Sequence, residues 1–306
     1  MKRTFEICLM LAVAGNVSAH EFKTLSELMA GWGTDIASRE VTVQTLQPGL
    51  HVLFGAGGNV LVSIGDQGVL MVDSQFPEMI PKLRQAIQEL GGKDIDFTIN
   101  THWHFDHADG NPMLGREGTW LVAQENSRRM MVSSHDIHFV DSSYRQPAYP
   151  AAALPVITYA DRMTFYFNGD RIDLLHFGAA HTTGDSAVLF RDANAIHMGD
   201  VFNAGYPFID ADNGGDLDGT IRFCRSVLGM INRQTRVVPG HGPVLDYAAL
   251  DAYTSMLETV RDRLQAMLDR GLTLDEVIAA QPTAEYDKQF GKPQLFISKA
   301  YMSLSR

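Results

Sequence analysis

Short runs of β-branched and aromatic residues, separated by glycine-bearing turns, dominate the first quarter of the chain. In these runs apolar and polar positions follow the spacing of strands, and the intervening turns are short. The pattern predicts an antiparallel meander. Its four predicted strands are Val41–Thr45, Leu50–Phe54, Asn59–Ile64 and Val69–Asp73.

Farther along, the apolar spacing changes between the helical and the strand period. Gly91 and Gly92 supply a stop signal for the first helix, and Pro282 and Pro293 divide the C-terminal tail. Helices are predicted at Pro81–Leu90, Ala123–Met131, Asp218–Ile231 and Ala248–Arg270, with two shorter helices in the tail Leu274–Arg306. Further strands are predicted at Asp96–Asn100, Met163–Phe167, Arg171–Phe177, Ser186–Phe190 and Arg236–Pro239.

Composition is consistent with one folded unit. The chain has 306 residues, of which 45% are hydrophobic, and this is enough for a sizeable core. We therefore expect a single domain over residues 20–306 that ends in a helical tail. The formal net charge of −11 disfavours nucleic acid and anionic membranes as partners, so a small-molecule substrate is expected.

The N-terminus resembles a secretory signal. Lys2 and Arg3 precede the short apolar stretch Ile7–Ala14, and the small residues Val17–Ala19 form a cleavage pattern. Residues 1–19 are therefore predicted to be a signal peptide, with the mature protein in a bacterial periplasm or secreted. A buried N-terminal helix or a membrane anchor is the alternative, although the stretch is too short for a bilayer and no other segment reaches that length. Removal of Cys8 would leave Cys224 alone, as a small apolar residue on a helix.

The segment 101–107 is the strongest chemical signal. It places His102, His104, Asp106 and His107 directly after a predicted buried strand. On the loop that leaves a strand, such side chains can converge on a cavity at the sheet edge. Imidazole nitrogen and carboxylate oxygen suit zinc, and also iron or manganese. This pattern predicts a metal site.

Three later residues have the same local setting. His181, Asp200 and His241 each follow a short β-like run and lie beside glycine or proline. Loops at strand ends expose functional side chains in this way. We therefore expect these three residues to complete the site.

The order His-x-His-x-Asp-His, then His, Asp and His, resembles the metallo-β-lactamase superfamily over about residues 41–241. The resemblance implies an α+β fold, a four-layer αββα sandwich of two mixed sheets flanked by helices. It also implies two divalent ions, for which zinc is expected and iron or manganese are alternatives. By this resemblance one ion binds His102, His104 and His181, and the other binds Asp106, His107 and His241. Asp200 would bridge them together with a water or hydroxide. Asp106, as the catalytic carboxylate, would orient that water or relay its proton to the leaving group.

Asp200 narrows the comparison within the superfamily. Class B β-lactamases commonly carry cysteine or serine at the corresponding position, whereas hydroxyacylglutathione hydrolases and metallo-lactonases carry aspartate. The resemblance therefore favours a hydrolase of a small ester, lactone, thioester or amide. The alternatives are a β-lactamase, an oxidoreductase resembling the persulfide dioxygenases with a single iron, and a non-catalytic metal-binding protein.

Other residues are candidates for supporting roles. Asp73, at the end of a predicted strand, is expected to hydrogen-bond a metal-binding histidine or to form a turn. Tyr206 and Phe208 are candidates for a substrate-contacting wall. The long segment 132–155 is interpreted either as a lid or as an ordered surface excursion. His135 and His138 within it are not expected to bind metal, because seven residues already supply two ions.

Overall fold

The computed structural model describes residues 21–306 of the chain. The predicted signal peptide, residues 1–19 with Cys8, lies outside these residues. The strands are β1 Phe22–Lys23, β2 Thr42–Gln47, β3 Leu50–Phe54, β4 Val60–Gly65, β5 Gly68–Val72, β6 Ile95–Ile99, β7 Trp120–Gln124, β8 His135–His138, β9 Ser143–Gln146, β10 Ile157–Tyr159, β11 Arg162–Phe167, β12 Asp170–Leu175, β13 Ala187–Phe190, β14 Ala195–His197, β15 Arg236–Val238 and β16 Leu245–Asp246.

The α-helices are α1 Leu25–Gly31, α2 Ile80–Glu89, α3 Phe105–Ala108, α4 Asn111–Arg116, α5 Glu125–Met131, α6 Leu217–Leu228, α7 Tyr247–Asp269, α8 Leu274–Ala279, α9 Asp287–Phe290 and α10 Gln294–Leu304. Short 3-10 helices lie at Pro77–Met79, Ala151–Ala153, Gly199–Val201 and Ala211–Asn213. Within the described residues, no helix combines the length and the apolar character needed to cross a membrane.

Two mixed sheets carry the fold. One has seven strands in the order β10-β7-β6-β5-β4-β3-β2, and the other has six in the order β11-β12-β13-β14-β15-β16. Strands β2 to β5 pair antiparallel, as the predicted meander requires, whereas β5, β6, β7 and β10 run parallel. A smaller sheet, β1-β9-β8, joins the N-terminal segment to the region between β7 and β10.

Three apolar clusters define four layers. Leu61 and Val72 of the first sheet pack against Leu174 and Val188 of the second. The outer face of the first sheet is covered by α2, where Leu83 is fully buried. The outer face of the second sheet is covered by α6, α7, α8 and α10, which share one apolar cluster with it. The architecture is therefore the expected α+β sandwich, with helices on both sides of two stacked sheets.

Two predicted elements need correction. Ala123 and Gln124 belong to strand β7 rather than to a helix, and only Glu125–Met131 is helical. The run Trp120–Gln124 is short and almost entirely buried, and such a run does not reveal its period. The tail contains three helices instead of two, because a single turn, α9, fits between the two prolines.

The segment 132–155 contains regular secondary structure. It contains the hairpin β8–β9, whose second strand also pairs in parallel with β1, and the 3-10 helix Ala151–Ala153. The amide of Phe139 donates to the Ser142 carbonyl and closes the turn of the hairpin.

The topology brings several loops to one edge of the sandwich. His102 follows β6, Asp200 follows β14 and His241 follows β15, while His181 lies in the connection from β12 to β13. Strands β14 and β15 are parallel neighbours, so the loops at their carboxyl ends are adjacent. This edge carries the histidine-rich motif.

Candidate metal centre

Seven side chains from these loops form one cluster. These side chains form three overlapping groups of potential metal ligands, and within each group all ligand atoms lie within 4.8 Å of one another. The first group is His102, His104 and His181, the second group is Asp106, His107 and His241, and a third set, His102, His107 and Asp200, overlaps both. The structure thus brings together all seven residues that the sequence analysis named as metal ligands.

The first group consists of three buried imidazoles. The ring of His102 lies 4.8 Å from that of His104 and 4.6 Å from that of His181, measured between centroids. The Nε2 atom of His181 is 2.8 Å from Nδ1 of His104. His104 Nε2–H donates to Asp210 at 2.9 Å, and His181 Nδ1–H donates to the Phe208 carbonyl at 2.6 Å. With those protons placed outward, both facing nitrogens present lone pairs to the interior of the group.

The second group combines imidazoles with a carboxylate. His241 Nε2 lies 3.1 Å from Asp106 Oδ2 and 3.2 Å from His107 Nε2. His107 is fully buried, whereas the side chain of His241 is 42% exposed. This group therefore lies at the open side of the cluster.

Asp200 connects the two groups. Its Oδ1 is 3.1 Å from His107 Nε2 and 3.5 Å from His241 Nε2, while its Oδ2 is 3.9 Å from His181 Nε2. One carboxylate oxygen faces each group, which is the placement that a bridging carboxylate requires.

The two groups differ in their preferred protonation. Burial, reinforced by the neighbouring imidazoles, lowers the pKa of His102 well below its ordinary value and also lowers the pKa of His181. Burial acts in the same direction on His107, but Asp106, Asp200 and Asp73 outweigh it and raise the pKa of His107 well above its ordinary value. His102 and His181 are therefore neutral donors.

The carboxylates respond in the opposite direction. Burial alone would raise the pKa of Asp200, yet His241 and His107 hold it well below its ordinary range. For Asp106 too, burial is outweighed by His107 and His241, and the pKa is lowered. Both carboxylates are therefore ionised, and they raise the pKa of His241 against the effect of its partial desolvation.

Two buried atoms indicate that the cluster is built for cations. His102 Nε2 and Asp200 Oδ1 are buried without a hydrogen-bond partner, although buried polar atoms are nearly always paired. His181 Nε2 and His104 Nδ1, which face each other at 2.8 Å, also direct lone pairs at one another. Neutral nitrogen donors together with carboxylate oxygens fit divalent metal ions. The residues present therefore suit the binding of such ions.

Asp73 orients two of the imidazoles, that of His107 directly and that of His102 through the Thr101 hydroxyl. Its Oδ2 accepts from His107 Nδ1–H at 2.7 Å and from the Thr101 hydroxyl at 2.8 Å. The same hydroxyl lies 3.0 Å from His102 Nδ1 and accepts its proton. Both rings are thereby held in the tautomer that directs Nε2 into the cluster. Asp73 itself is fully buried, with a positive φ of 66°.

Asp210 is a supporting residue that the sequence analysis did not identify. It is fully buried, accepts from His104 and from the Asn213 amide, and lies 106 residues from His104 in the chain. Burial opposes ionisation, but the His104 bond is stronger and the pKa of Asp210 is lowered. The only sequence signal was an acidic residue in the loop that follows Asp200.

Glycines allow the backbone to approach the cluster closely. A Cβ atom at Gly58 would collide with the His107 ring, and one at Gly240 would collide with Asp200. Asn59 donates to the carbonyls of Pro239 and Gly242 and so holds the loop of His241 against the β3–β4 turn. In the sequence, the three glycines within residues 55–58 were the feature that could have indicated this close approach of the backbone to the cluster.

The remaining candidates lie in different surroundings. Phe208 is partly buried beside the cluster, 5.7 Å from the His181 ring and 6.0 Å from the His104 ring. Tyr206 instead donates to Asp287 at 2.8 Å and stacks on Phe296, so it packs against the C-terminal helices. His135 stacks edge-on against Trp103 at 5.0 Å and belongs to none of the ligand groups.

His138 is likewise outside the ligand groups, with its Nδ1 2.7 Å from the Ser143 hydroxyl.

A separate cavity of about 680 Å³ lies beside α1, lined among others by Met29, Asp35 and Glu78. None of the seven clustered residues lines it.

Comparison with known proteins agrees with this architecture. A family model described as the metallo-beta-lactamase superfamily matches residues 54–258. The lactamase-like protein aptB of Emericella nidulans is 25% identical over 284 residues, which cover 81% of this chain and 80% of that protein. A "probable metallo-hydrolase" of Methanocaldococcus jannaschii is 23% identical over 200 residues, covering 64% of this chain and 93% of that protein.

Solved structures share the fold. The DIM-1 metallo-beta-lactamase matches with a TM-score of 0.57 at 18% identity, covering 72% of this chain and 98% of that chain. A metallo-beta-lactamase from Pontibacter korlensis matches with a TM-score of 0.59 at 18% identity, covering 72% and 99%. At such low identity these matches show a common fold and do not identify the substrate.

Proposed function

The chain belongs to the metallo-β-lactamase superfamily and is a metal-dependent hydrolase, and we propose that it binds two divalent ions and cleaves a small ester, lactone, thioester or amide. The observation that carries the proposal is the position of Asp200, whose two oxygens face two separate ligand groups. Zinc is the ion that we propose, since imidazole and carboxylate donors suit it.

The seven clustered residues would form two adjacent metal sites. His102, His104 and His181 would hold one ion, Asp106, His107 and His241 the other, and Asp200 both. Bound ions would supply Lewis acidity and a water molecule of lowered pKa near the substrate carbonyl. Because the side chain of His241 is 42% exposed, the second group is the side from which we expect a substrate to enter.

Asp106 is our candidate for proton transfer. It is ionised, its side chain is 17% exposed, and its Oδ2 already accepts from His241. A carboxylate in this position can accept a proton from the attacking water and pass it to the leaving group. Asp73 and Asp210 keep the imidazoles oriented while this occurs.

Two alternatives receive less support. A single-iron oxidoreductase would leave one ligand group without a role, yet both groups are complete among the described residues. Hydrolysis of a β-lactam by the same metal-dependent chemistry is the alternative substrate assignment. An assay panel of a chromogenic cephalosporin, a lactone, a thioester and an ester distinguishes these substrates.

Metal content and activity of matched variants test the proposal. We expect two zinc ions per chain in the wild type, loss of at least one in Asp200→Ala, and an activity loss of at least a hundredfold, since removal of an electrostatic stabiliser costs about that much. The variants His135→Ala and His138→Ala serve as controls and should keep both ions. Unchanged metal content in Asp200→Ala would refute the bridging role, and metal loss in either histidine control would refute the ligand assignment.

We also retain the proposal that residues 1–19 are a signal peptide and that the mature protein is periplasmic or secreted. The sequence pattern at Val17–Ala19 supports cleavage before His20. N-terminal sequencing of the protein from a periplasmic fraction tests it, and an N-terminus at Met1 would contradict it.

A further inference from the structure

Three aromatic rings form a row that begins at the metal-binding histidines and ends at the protein surface. Phe208 lies 5.7 Å from His181, Phe139 lies 5.5 Å from Phe208, and Trp32 lies 5.1 Å from Phe139, all between ring centroids. We call Trp32, Phe139 and Phe208 the aromatic row. Phe139 and Phe208 are partly buried, while Trp32 is 50% exposed.

Ordered elements hold each ring in place. Trp32 follows α1, and its amide donates to the Leu28 and Met29 carbonyls. Phe139 closes the turn of the β8–β9 hairpin, which pairs with β1 and so ties the N-terminal segment to the hairpin. The side-chain amide of Asn213 donates to the Asp136 carbonyl and links the same hairpin to the loop beside the cluster.

Phe208 is fixed at the cluster itself. Its carbonyl accepts from His181, and the Lys299 ammonium lies 5.9 Å from the centre of its ring. Lys299 is buried and paired with Asp212, so it adds little net charge to this wall. The aromatic row is therefore an apolar surface beside a strongly polar cluster.

The exposure of Trp32 indicates a binding surface. A large aromatic side chain that remains half exposed next to partly exposed rings leaves apolar area in water, and such area often marks a ligand site. Val140, adjacent to Phe139, is also 45% exposed. Trp32 lies before residues 54–258 that match the family model, so this end of the row belongs to a segment outside the shared region.

On the basis of the proposed function, we infer that the aromatic row binds an apolar alkyl or aryl group of the substrate while the reacting carbonyl lies at the histidine–aspartate cluster. Ligand pockets commonly combine apolar walls with a few fixed polar groups, and here the two parts are contiguous. Trp32 and Phe139 are then specificity-determining residues, and the substrate class is a carbonyl compound with an apolar substituent.

Two series of esters test the inference on the metal-loaded enzyme. Methyl alkanoates from acetate to hexanoate lengthen the acyl side, and alkyl acetates from methyl to hexyl lengthen the alcohol side. In one of the two series we expect kcat/KM to rise about fourfold per methylene, the value for full burial of a CH₂ group. In Trp32→Ala and Phe139→Ala we expect this dependence to flatten. The six-carbon substrate should lose about tenfold in kcat/KM, and methyl acetate less than twofold.

Trp120→Ala is the matched control, because Trp120 is 55% exposed and lies at the start of β7, outside the aromatic row. It should leave both series unchanged. A wild-type enzyme that hydrolyses methyl acetate but shows no length dependence in either series would overturn the inference and leave the proposed hydrolase standing. An equal loss for short and long substrates in Trp32→Ala would also overturn it.

A binding measurement separates the two proposals when neither series is hydrolysed. In a Trp120→Phe background Trp32 is the exposed tryptophan, because Trp103 is 1% exposed. Hexanoate should protect Trp32 from acrylamide quenching, whereas acetate at the same concentration should not. Protection without hydrolysis would count against the proposed ester chemistry and for the aromatic row, and absence of protection would overturn the row as a binding surface.

Discussion

Replacement of Asp73 by asparagine tests how the fold controls the protonation of the histidines in the candidate metal centre. Asp73 is fully buried and has a φ of 66°, a conformation that asparagine also tolerates. The substitution Asp73→Asn keeps the shape and removes one acceptor. The new amide group would face either His107 Nδ1–H and the Thr101 hydroxyl, or, if rotated, the Thr101 backbone N–H.

In either orientation the side-chain NH₂ group of the asparagine would face another hydrogen-bond donor. The conflict at His107 is relieved if the ring moves its proton to Nε2, the atom that faces the cluster. The same change releases the Thr101 hydroxyl that orients His102. Loss of one buried hydrogen bond to a charged group costs about 1.5–3 kcal/mol. That free energy corresponds to a roughly 10- to 100-fold loss of metal affinity, which is the usual effect of losing such an orienting partner.

Competition between the protein and a chromophoric zinc chelator measures this affinity. Asp66→Asn is the matched control, since Asp66 is exposed in the β4–β5 turn. Circular dichroism should show a folded Asp73→Asn protein. A folded variant that binds both ions with wild-type affinity would refute the argument that Asp73 sets the tautomers.

Other predictions concern packing, charge and thiol reactivity. Gly58→Ala should weaken metal binding because its methyl group would collide with the His107 ring, whereas Gly31→Ala, with open space around it, should bind metal normally in the same titration. Asp173 is held by Arg191 and Arg171, which outweigh the effect of burial and lower its pKa. A lowered folded-state pKa contributes stability above the unfolded-state pKa of about 3.9, and this is lost as pH falls through the folded-state value. Urea denaturation of Asp173→Asn should therefore show a loss of about 2 kcal/mol at neutral pH that disappears in acid, and a loss independent of pH would contradict the charge argument. Burial raises the pKa of Cys224 to about 12, so in a Cys8→Ser protein a thiol reagent at pH 8 should label Cys224 only after denaturation, and rapid labelling of the native protein would contradict its burial.

Much of the fold could be predicted because its signals are local. The meander β2–β5 has short glycine-bearing turns between β-rich apolar runs. The helices α2, α6 and α7 show apolar residues at helical spacing or a glycine stop signal. The last two residues of strand β7, Ala123 and Gln124, were wrongly predicted to be helical, since a run of five mostly buried residues does not show whether its apolar spacing is that of a strand or a helix. The strand β1 has two residues and is ordered by pairing with β9, more than a hundred residues later. Such an element has no local signal.

The same distinction applies to the candidate site. The residues expected to touch metal lie in compact motifs after strands, so the chemistry of each motif is visible in the sequence. The groups that fix those residues come from distant segments, as with Asp210 and His104, which are separated by 106 positions. The aromatic row is likewise assembled from three distant segments, and its position between hairpin and helix depends on tertiary pairing. Local motifs therefore predict the reaction class, whereas affinity for the metal and choice of substrate depend on contacts that only the folded chain creates.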